Sequence, residues 1–224
     1  ALDQIPVGAD TQFSTDIKLG GKLMKTEGIY TIKVQYGDES VTTTFEFGGV
    51  TSTVSNEIEE SITSLNHTKS EIDSNNLNEK NSSLGLASWI KSIPIIYYPW
   101  GLQSAAIRFK NSMQENAKKH VLFEDVIEAS HNGIVSWESP SNIQPILLQG
   151  KDDHIKTQDR WNIMKEFFQK KQIDYKEIYS VNGSILTKLV CLIYSLDMTA
   201  IYNAAISEID PSPVNSIDFV KRKL

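Results

Sequence analysis

The chain is poor in the residues that mark several large classes of protein. It has one cysteine, Cys191, so neither an intrachain disulfide framework nor a paired-cysteine metal site can form. Cys191 lies in the apolar stretch 189–193, which favours burial as a small hydrophobe over reactivity. No apolar run approaches the length of a membrane span, and the start lacks both segments of a secretory leader. It also lacks an initiating Met, which suggests processing or origin from a longer precursor.

The charge balance and the motifs that are missing exclude further classes. The net charge is −6 and basic residues are interleaved with acids, so we expect no nucleic-acid partner. None of the histidines falls at a metal-ligand spacing, so we expect no metal site; they are His67, His120, His131 and His154. The commonest nucleotide-binding loops, GxGxxG and GxxxxGK[ST], and the hydrolase elbow GxSxG do not occur.

Residues 1–50 show the alternation that is typical of paired β-strands. Apolar or β-branched side chains recur at every second position on both sides of a polar stretch: Tyr30, Ile32, Val34 and Tyr36, then Val41, Thr43, Phe45 and Phe47. Residues 37–40 have the composition of a hairpin loop, and residues 12–17 that of a third strand. This part of the sequence predicts a small antiparallel β unit.

Residues 51–83 have a different composition, rich in Ser, Asn and Glu. Ile58, Ile62, Leu65 and Ile72 nevertheless keep a helical spacing. The sequence therefore predicts an amphipathic helix followed by a polar linker through Asn75 and Asn76.

From residue 84 onward, short apolar strands alternate with helical stripes. The strands are expected at 94–98, 145–148 and 175–181, the stripes at 102–113 and 161–168, and a long apolar helix over roughly 185–207. This alternation predicts an α/β domain over residues 84–224, with a parallel sheet flanked by helices and preceded by the antiparallel β unit.

Two residues with acid-base chemistry remain, Glu115 and His131. Glu115 lies near the end of a predicted helix, where the helix dipole disfavours a negative charge, so it is either a solvated carboxylate or a functional one. His131 precedes Asn132 and Gly133, a pair that favours a tight turn, so it is either a surface histidine or a functional group. Spacing alone leaves both interpretations open.

Three longer stretches of the sequence, two of which contain Glu115 or His131, carry one family resemblance. They are residues 94–101, residues 106–118 with a Gln-Glu-Asn motif, and residues 128–135 with a His-Asn motif. With the ending 210–221, they resemble archaeal bifunctional phosphoglucose/phosphomannose isomerases of the sugar isomerase (SIS) class. The resemblance runs from about residue 55 to the C-terminus and implies an SIS-like fold.

The resemblance implies roles for three residues. In such enzymes the glutamate of the Gln-Glu-Asn motif, here Glu115, moves a proton between C1 and C2 of the sugar. The histidine of the His-Asn motif, here His131, assists opening of the pyranose ring. A lysine near the C-terminus lies in the same site, and Lys221 matches it best. These residue types suit the chemistry, because a carboxylate must reach both carbons while cationic groups stabilise the developing oxyanion.

For the whole protein, the resemblance implies conversion of glucose 6-phosphate and mannose 6-phosphate to fructose 6-phosphate through a cis-enediol(ate). The implied enzyme is a cytoplasmic homodimer in which the histidine reaches in from the other subunit. It binds a sugar phosphate and uses no metal or organic cofactor.

The resemblance also implies that a part is missing. Complete family members have two sugar-isomerase subdomains, and the first supplies the loops that hold the substrate phosphate. We expect that half to be absent here, and turnover by the chain alone to be weak or nil. In its place, residues 28–37 and 42–49 resemble the end of β-sandwich repeats from secreted or surface proteins of ammonia-oxidising archaea.

Three functions therefore stay open at the level of the sequence. The first is an isomerase or its catalytic half, and the second is a sugar-phosphate-binding module without catalysis. The third is a surface protein fragment that carries an isomerase-derived passenger.

Overall fold

The structure is a computed structural model that describes residues 28–36, 39–47 and 51–224. The chain divides into two compact units, and the division falls between Val54 and Ser55. This position lies near the start of the first helix, α1 (Thr51–Ile72). Each unit has a β-sheet of its own.

The first unit contains an antiparallel pair of strands. Strand β1 (Gly28–Tyr36) pairs with β2 (Glu39–Phe47), which confirms the predicted strand pair. Glu39 and Ser40, expected in the loop, belong to β2 because the pairing continues as far as Tyr36 opposite Glu39. The third strand predicted at 12–17 lies outside the described residues.

The second unit is built on a four-stranded parallel sheet. Its strands are β3 (Ile93–Tyr98), β4 (Leu122–Asp125), β5 (Ile143–Gln149) and β6 (Lys176–Tyr179). They lie in the order β4-β3-β5-β6, and every neighbouring pair is parallel. Parallel neighbours need crossover connections, so each connecting helix runs back from the carboxyl end of one strand to the amino end of the next. The predicted α/β fold with a parallel sheet is confirmed.

Helices flank both faces of this sheet. They are α2 (Ser82–Trp89), α3 (Gln103–Asn116), α4 (Val126–Ala129), α5 (Ile155–Lys171), α6 (Ile185–Ile206) and α7 (Asn215–Lys221), with a 3-10 helix over Gly133–Glu138. Helices α2, α3 and α6 contribute to one hydrophobic core, and α4, α5 and the 3-10 helix to the other.

Alternation along the strands divides the core in this way. Ile96 and Tyr98 of β3 pack with α3 and α6, whereas Tyr97 between them packs with α4 and α5. Phe109 of α3 and Phe168 of α5 are fully buried, one in each core. Burial of such a side chain contributes roughly 1.5–3 kcal/mol. The two helical stripes seen in the sequence are therefore the ones that hold the helices on the sheet.

Helix α1 forms as predicted, but two of its isoleucines do not form the buried face. Ile58 and Ile62 are 44% and 56% exposed, while Ser61 and Ile72 are buried. Ser61 Oγ lies 2.9 Å from Thr187 Oγ1 of α6 in a buried hydrogen bond. A hydroxyl can face the interior when it finds such a partner, and the apolar spacing alone did not indicate this.

Helix α6 is the central helix of the larger core. By length and composition it could cross a membrane, which corrects the expectation that no run approaches a span. It packs against α2 and α3 through residues that include the buried Leu196. Near its end, the buried Asn203 donates to the carbonyls of Ala87 (2.8 Å) and Ile90 (3.2 Å). These bonds fix the C-terminal end of α2 on α6.

Candidate active site

Glu115 occupies the last turn of α3, and its side chain is exposed. Arg108 lies two turns earlier on the same side of the helix and donates bidentately to Asp197 of α6, with N to O distances of 2.9–3.0 Å. The hydrogen bond from Arg108 to Asp197 raises the pKa of Arg108, and the nearby charge of Glu115 adds a smaller effect. This ion pair ties the helix that carries Glu115 to α6.

The end of α3 is also joined to the segment that leads into α7. The Nζ atom of Lys118 donates to the carbonyl of Glu115 at 2.6 Å and to the carbonyls of Pro213 and Pro211 at 2.7 and 3.4 Å. Lys221 is the last residue of α7 and is exposed. Lys118, which the sequence did not single out as functional, therefore connects the end of α3 to the segment that precedes α7.

His131 lies in a turn at the end of α4, and its side chain is exposed. The carbonyl of Glu128 accepts from the backbone N–H of His131 (3.0 Å) and of Asn132 (2.9 Å). The side chain of Asn132 donates to Glu128 Oε1 at 2.6 Å. His131 therefore lies in a turn, as expected, but the turn spans residues 128–132, and Gly133 begins the 3-10 helix. Glu128 stabilises this turn through both its backbone carbonyl and its carboxylate.

Acidic groups surround this turn. A Cβ atom added at Gly133 would lie 2.5 Å from Oε2 of Glu124, so the glycine lets that carboxyl group lie against the turn. Burial raises the pKa of Glu124, and the charges of Glu128 and Asp125 raise it further. Glu124 belongs to none of the motifs in the sequence, and its contact with Gly133 places it beside the turn that contains His131.

Glu124 also affects the buried Tyr97 beside it in the sheet. Burial raises the pKa of Tyr97 to about 12, the hydrogen bond from Trp137 lowers it, and the charge of Glu124 raises it. The indole Nε1 of Trp137 donates to the Tyr97 hydroxyl at 2.9 Å. Burial and the charge of Glu124 together keep the phenol protonated as part of the core, away from solvent.

Glu115 and His131 lie beyond opposite ends of one strand. Helix α3 runs against the strand direction, so Glu115 precedes the amino end of β4, whereas His131 follows the carboxyl end of the same strand. Among the described residues, no hydrogen bond or ion pair joins the side chains of Glu115, His131 and Lys221.

Two cavities lie away from Glu115. One of about 400 Å³ lies between α2, α6 and β6, and Cys191 and Thr68 are among its lining residues. Burial raises the pKa of the Cys191 thiol, while its hydrogen bond with Thr68 lowers it; the residue is buried, as expected. Another, of about 300 Å³, lies at the carboxyl ends of β3 and β4 beside Trp100 and Asp125. None of the three predicted residues lines either cavity.

Metal-binding side chains do not gather in the described part of the chain. Within residues 28–36, 39–47 and 51–224, no three His, Cys, Asp or Glu side chains are grouped so that they could hold a metal ion.

Comparison with known sequences connects this arrangement with one family. The model of the bacterial phospho-glucose isomerase C-terminal SIS domain matches residues 79–224, which include Glu115, His131 and Lys221. A bifunctional phosphoglucose/phosphomannose isomerase of Caldicellulosiruptor bescii is 33% identical over 183 residues, which are 79% of this chain and 54% of that protein. A protein of the same name from Thermoplasma acidophilum is 25% identical over 69% of this chain and 49% of its own length. The chain spans about half the length of the curated relatives it matches.

Solved structures share the fold. A glucose-6-phosphate isomerase like protein from Thermus thermophilus has a TM-score of 0.59 at 17% identity, over 70% of this chain and 54% of that one. The sugar isomerase domain of an RpiR transcription factor from Sphaerobacter thermophilus has a TM-score of 0.50 at 8% identity, over 77% of this chain and 99% of that one. At such identities the likeness supports the fold alone.

The matched family is less specific than the resemblance seen in the sequence, which is to an archaeal bifunctional enzyme. It supports an isomerase-type SIS domain, while the archaeal type and the surface-protein likeness of residues 1–50 stay predictions. The chain belongs to the family of bacterial phosphoglucose isomerase C-terminal SIS domains.

Proposed function

We propose that this chain carries the acid-base half of an aldose-ketose isomerase that converts glucose 6-phosphate and mannose 6-phosphate to fructose 6-phosphate. The observation that supports this most is the family match over residues 79–224, which contains Glu115, His131 and Lys221 in one domain. The names of the curated relatives, which are bifunctional phosphoglucose/phosphomannose isomerases, suggest both sugars.

The roles follow from the chemistry of each group. Glu115 is the base that takes the proton from C2 of the open-chain aldose and returns it to C1 through a cis-enediol(ate). Lys221 supplies positive charge near the developing oxyanion. His131 exchanges a proton with the ring oxygen during opening, because an imidazole can both donate and accept a proton.

A homodimer accommodates these roles better than a single chain. Glu115 and His131 precede and follow the same strand, and both side chains are exposed. Helix α3 is 14 residues long, about 21 Å, so Glu115 in its last turn lies far from the carboxyl ends of the strands. We propose that His131 of a second copy completes the site around Glu115, and that the enzyme works in the cytoplasm.

Turnover by this chain alone is proposed to be weak. The chain spans about half of the relatives' length, and the phosphate-binding loops expected in family members belong to the other half. Without a phosphate clamp, the sugar loses the orientation on which much of the effective molarity depends.

The test is a coupled assay of fructose 6-phosphate formation from each aldose. Glu115→Gln should lower turnover by about 10²–10⁴-fold, the typical contribution of a positioned base. Glu166→Gln, which changes an exposed carboxylate on α5, is the matched control and should leave turnover intact. Equal turnover in Glu115→Gln and wild type would remove Glu115 from the mechanism.

A second candidate is a sugar-phosphate-binding module without catalysis. It is favoured by the fold shared with the sugar isomerase domain of a transcription factor, because that fold also occurs outside enzymes. Binding of fructose 6-phosphate by calorimetry, without turnover of either aldose, would select it. The surface-protein alternative predicts export of the chain, which fractionation of producing cells would detect.

A further inference from the structure

The end of α3 has an unusual backbone feature at Lys118. This residue has φ 54°, the left-handed conformation usually taken by glycine after a helix. The N–H groups of Ala117 and Lys119 both donate to the carbonyl of Met113, so the backbone around Lys118 folds back onto the last turn of α3. A lysine in this conformation is strained relative to glycine. We therefore ask whether its side chain makes contacts that a glycine could not make.

Two other helix ends provide a comparison. Gln172 after α5 and Glu208 after α6 have φ 56° and 55°, so the conformation alone does not distinguish Lys118. The difference is in the side chains. Lys118 Nζ donates to three carbonyls, whereas among the described residues neither Gln172 nor Glu208 makes a side-chain hydrogen bond.

The three carbonyls belong to two separate parts of the chain. One is that of Glu115, and the others are those of Pro211 and Pro213, which are 93 and 95 residues away in sequence. The two prolines have no N–H groups, so no regular hydrogen-bonded element can hold this stretch through them. An ammonium group has three donors, and here they match three acceptors.

The segment beyond these prolines has little else to hold it. Helix α7 begins at Asn215 and none of its residues is buried. The apolar Phe219 and Val220 are 59% and 53% exposed. The direction in which α7 leaves the domain is therefore set largely by the anchored segment before it, and α7 carries Lys221.

We propose that Lys118 is a positioning residue that fixes Lys221 relative to Glu115. It clamps the carbonyl of Glu115 and those of Pro211 and Pro213, and so joins the base to the segment that carries the cation. This inference rests on the proposed isomerase function, because only that function requires Glu115 and Lys221 in one site. Lys118 does not act on the substrate, since its three donors are engaged by backbone carbonyls.

The first test measures the clamp without any need for turnover. Lys118→Gly removes the ammonium group and relieves the left-handed strain, so the fold should be preserved. Lys118→Met removes only the ammonium group and keeps the strain. Gln172→Gly is the matched control, because it relieves the same strain at the end of α5 without removing a comparable contact.

Millisecond-resolved hydrogen exchange should then report on residues 214–224. In both Lys118 variants the amides of this segment should exchange about tenfold faster than in wild type, because its anchoring bonds are lost. Exchange in Gln172→Gly should match wild type. Unchanged exchange in Lys118→Gly and Lys118→Met would overturn the proposal.

The second test asks whether the clamp serves catalysis. In the coupled assay, Lys118→Gly should lower kcat about tenfold or more with little change in KM, because misplacement affects the transition state more than sugar binding. Loss of turnover in Glu115→Gln with full kcat in Lys118→Gly would overturn the positioning role. If the Lys118 variants exchange faster but the wild-type chain shows no turnover, Lys118 anchors the segment before α7, and the proposal that this anchoring serves catalysis is wrong.

Discussion

At the scale of single residues, the raised pKa of Glu124 makes stability depend on pH. Burial is the main cause of its raised pKa, and two neighbouring carboxylates add to it. A carboxyl group whose pKa is higher in the folded chain holds its proton more tightly there than in the unfolded chain. Stability therefore increases as the pH falls through the folded pKa, and the full gain is present below the unfolded pKa.

Replacement of the Glu124 carboxyl group by an amide should stabilise the protein near neutral pH, whereas loss of a salt-bridged carboxylate would destabilise it there. Glu124→Gln should raise the thermal midpoint near pH 7, with a gain in unfolding free energy of less than about 1 kcal/mol because the group is partly exposed. The advantage should shrink as the pH falls from 7 through the raised pKa of Glu124, because the wild-type carboxyl group then takes up a proton. Thermal melts over this pH range measure the effect, with Glu138→Gln on the nearby 3-10 helix as control. A variant that loses stability at pH 7 would contradict the raised pKa.

The site residues differ in how far the sequence could predict them. Glu115 and His131 stand in short motifs whose residue types suggest acid-base chemistry. Lys118 and Glu124 lie within or beside the same motifs, but their importance depends on partners elsewhere: Lys118 bonds to carbonyls 93 and 95 residues away, and Glu124 lies against Gly133. Neither contact can be predicted from the spacing of residues along the sequence.

At the scale of elements, the attachment of α2 to α6 depends on one buried amide. Asn203 is 1% exposed and donates to the carbonyls of Ala87 and Ile90 at the end of α2. These carbonyls are among the last acceptors of the helix, where no further N–H follows to satisfy them.

Asn203→Ala should therefore cost about 2–4 kcal/mol of unfolding free energy, because it leaves buried carbonyls without donors and opens a small cavity. Ile201→Ala on the same helix is the control, since Ile201 is 43% exposed and its truncation should cost less than about 1 kcal/mol. Urea denaturation of both variants gives the difference. Equal costs would mean that the amide bonds contribute little.

Elements with long apolar runs were predictable, and those held by polar contacts were not. Strands β3 and β5 and helices α3, α5 and α6 have strong apolar patterns that match the structure. Strand β4 escaped notice because it is four residues long, two of them acidic, at the sheet edge. Helix α2 begins with two serines and depends on the Asn81 cap, whose side chain accepts from the N–H of Leu84. Such elements form because the tertiary structure provides their partners.

At the scale of the whole molecule, the positions of Glu115 and His131 bear on the proposed homodimer. Lys118 joins the carbonyl of Glu115 to that of Pro213, in the segment that leads into α7, whereas His131 lies beyond the other end of β4. If the isomerase function holds, a second copy is the simplest source of the histidine, and two-fold symmetry then gives each dimer two equivalent sites.

Mixing two inactive variants tests this arrangement directly. Glu115→Gln and His131→Ala chains, unfolded together and refolded, should form mixed dimers in which one site has both native groups and the other has neither. Random pairing with two-fold symmetry then predicts recovery of about a quarter of wild-type turnover. Sedimentation of the mixture verifies that dimers have formed, and each variant refolded alone provides the baseline. If dimers form and turnover stays at that baseline while wild type remains active, Glu115 and His131 must act from the same chain, and the site would have to close by a movement within one subunit.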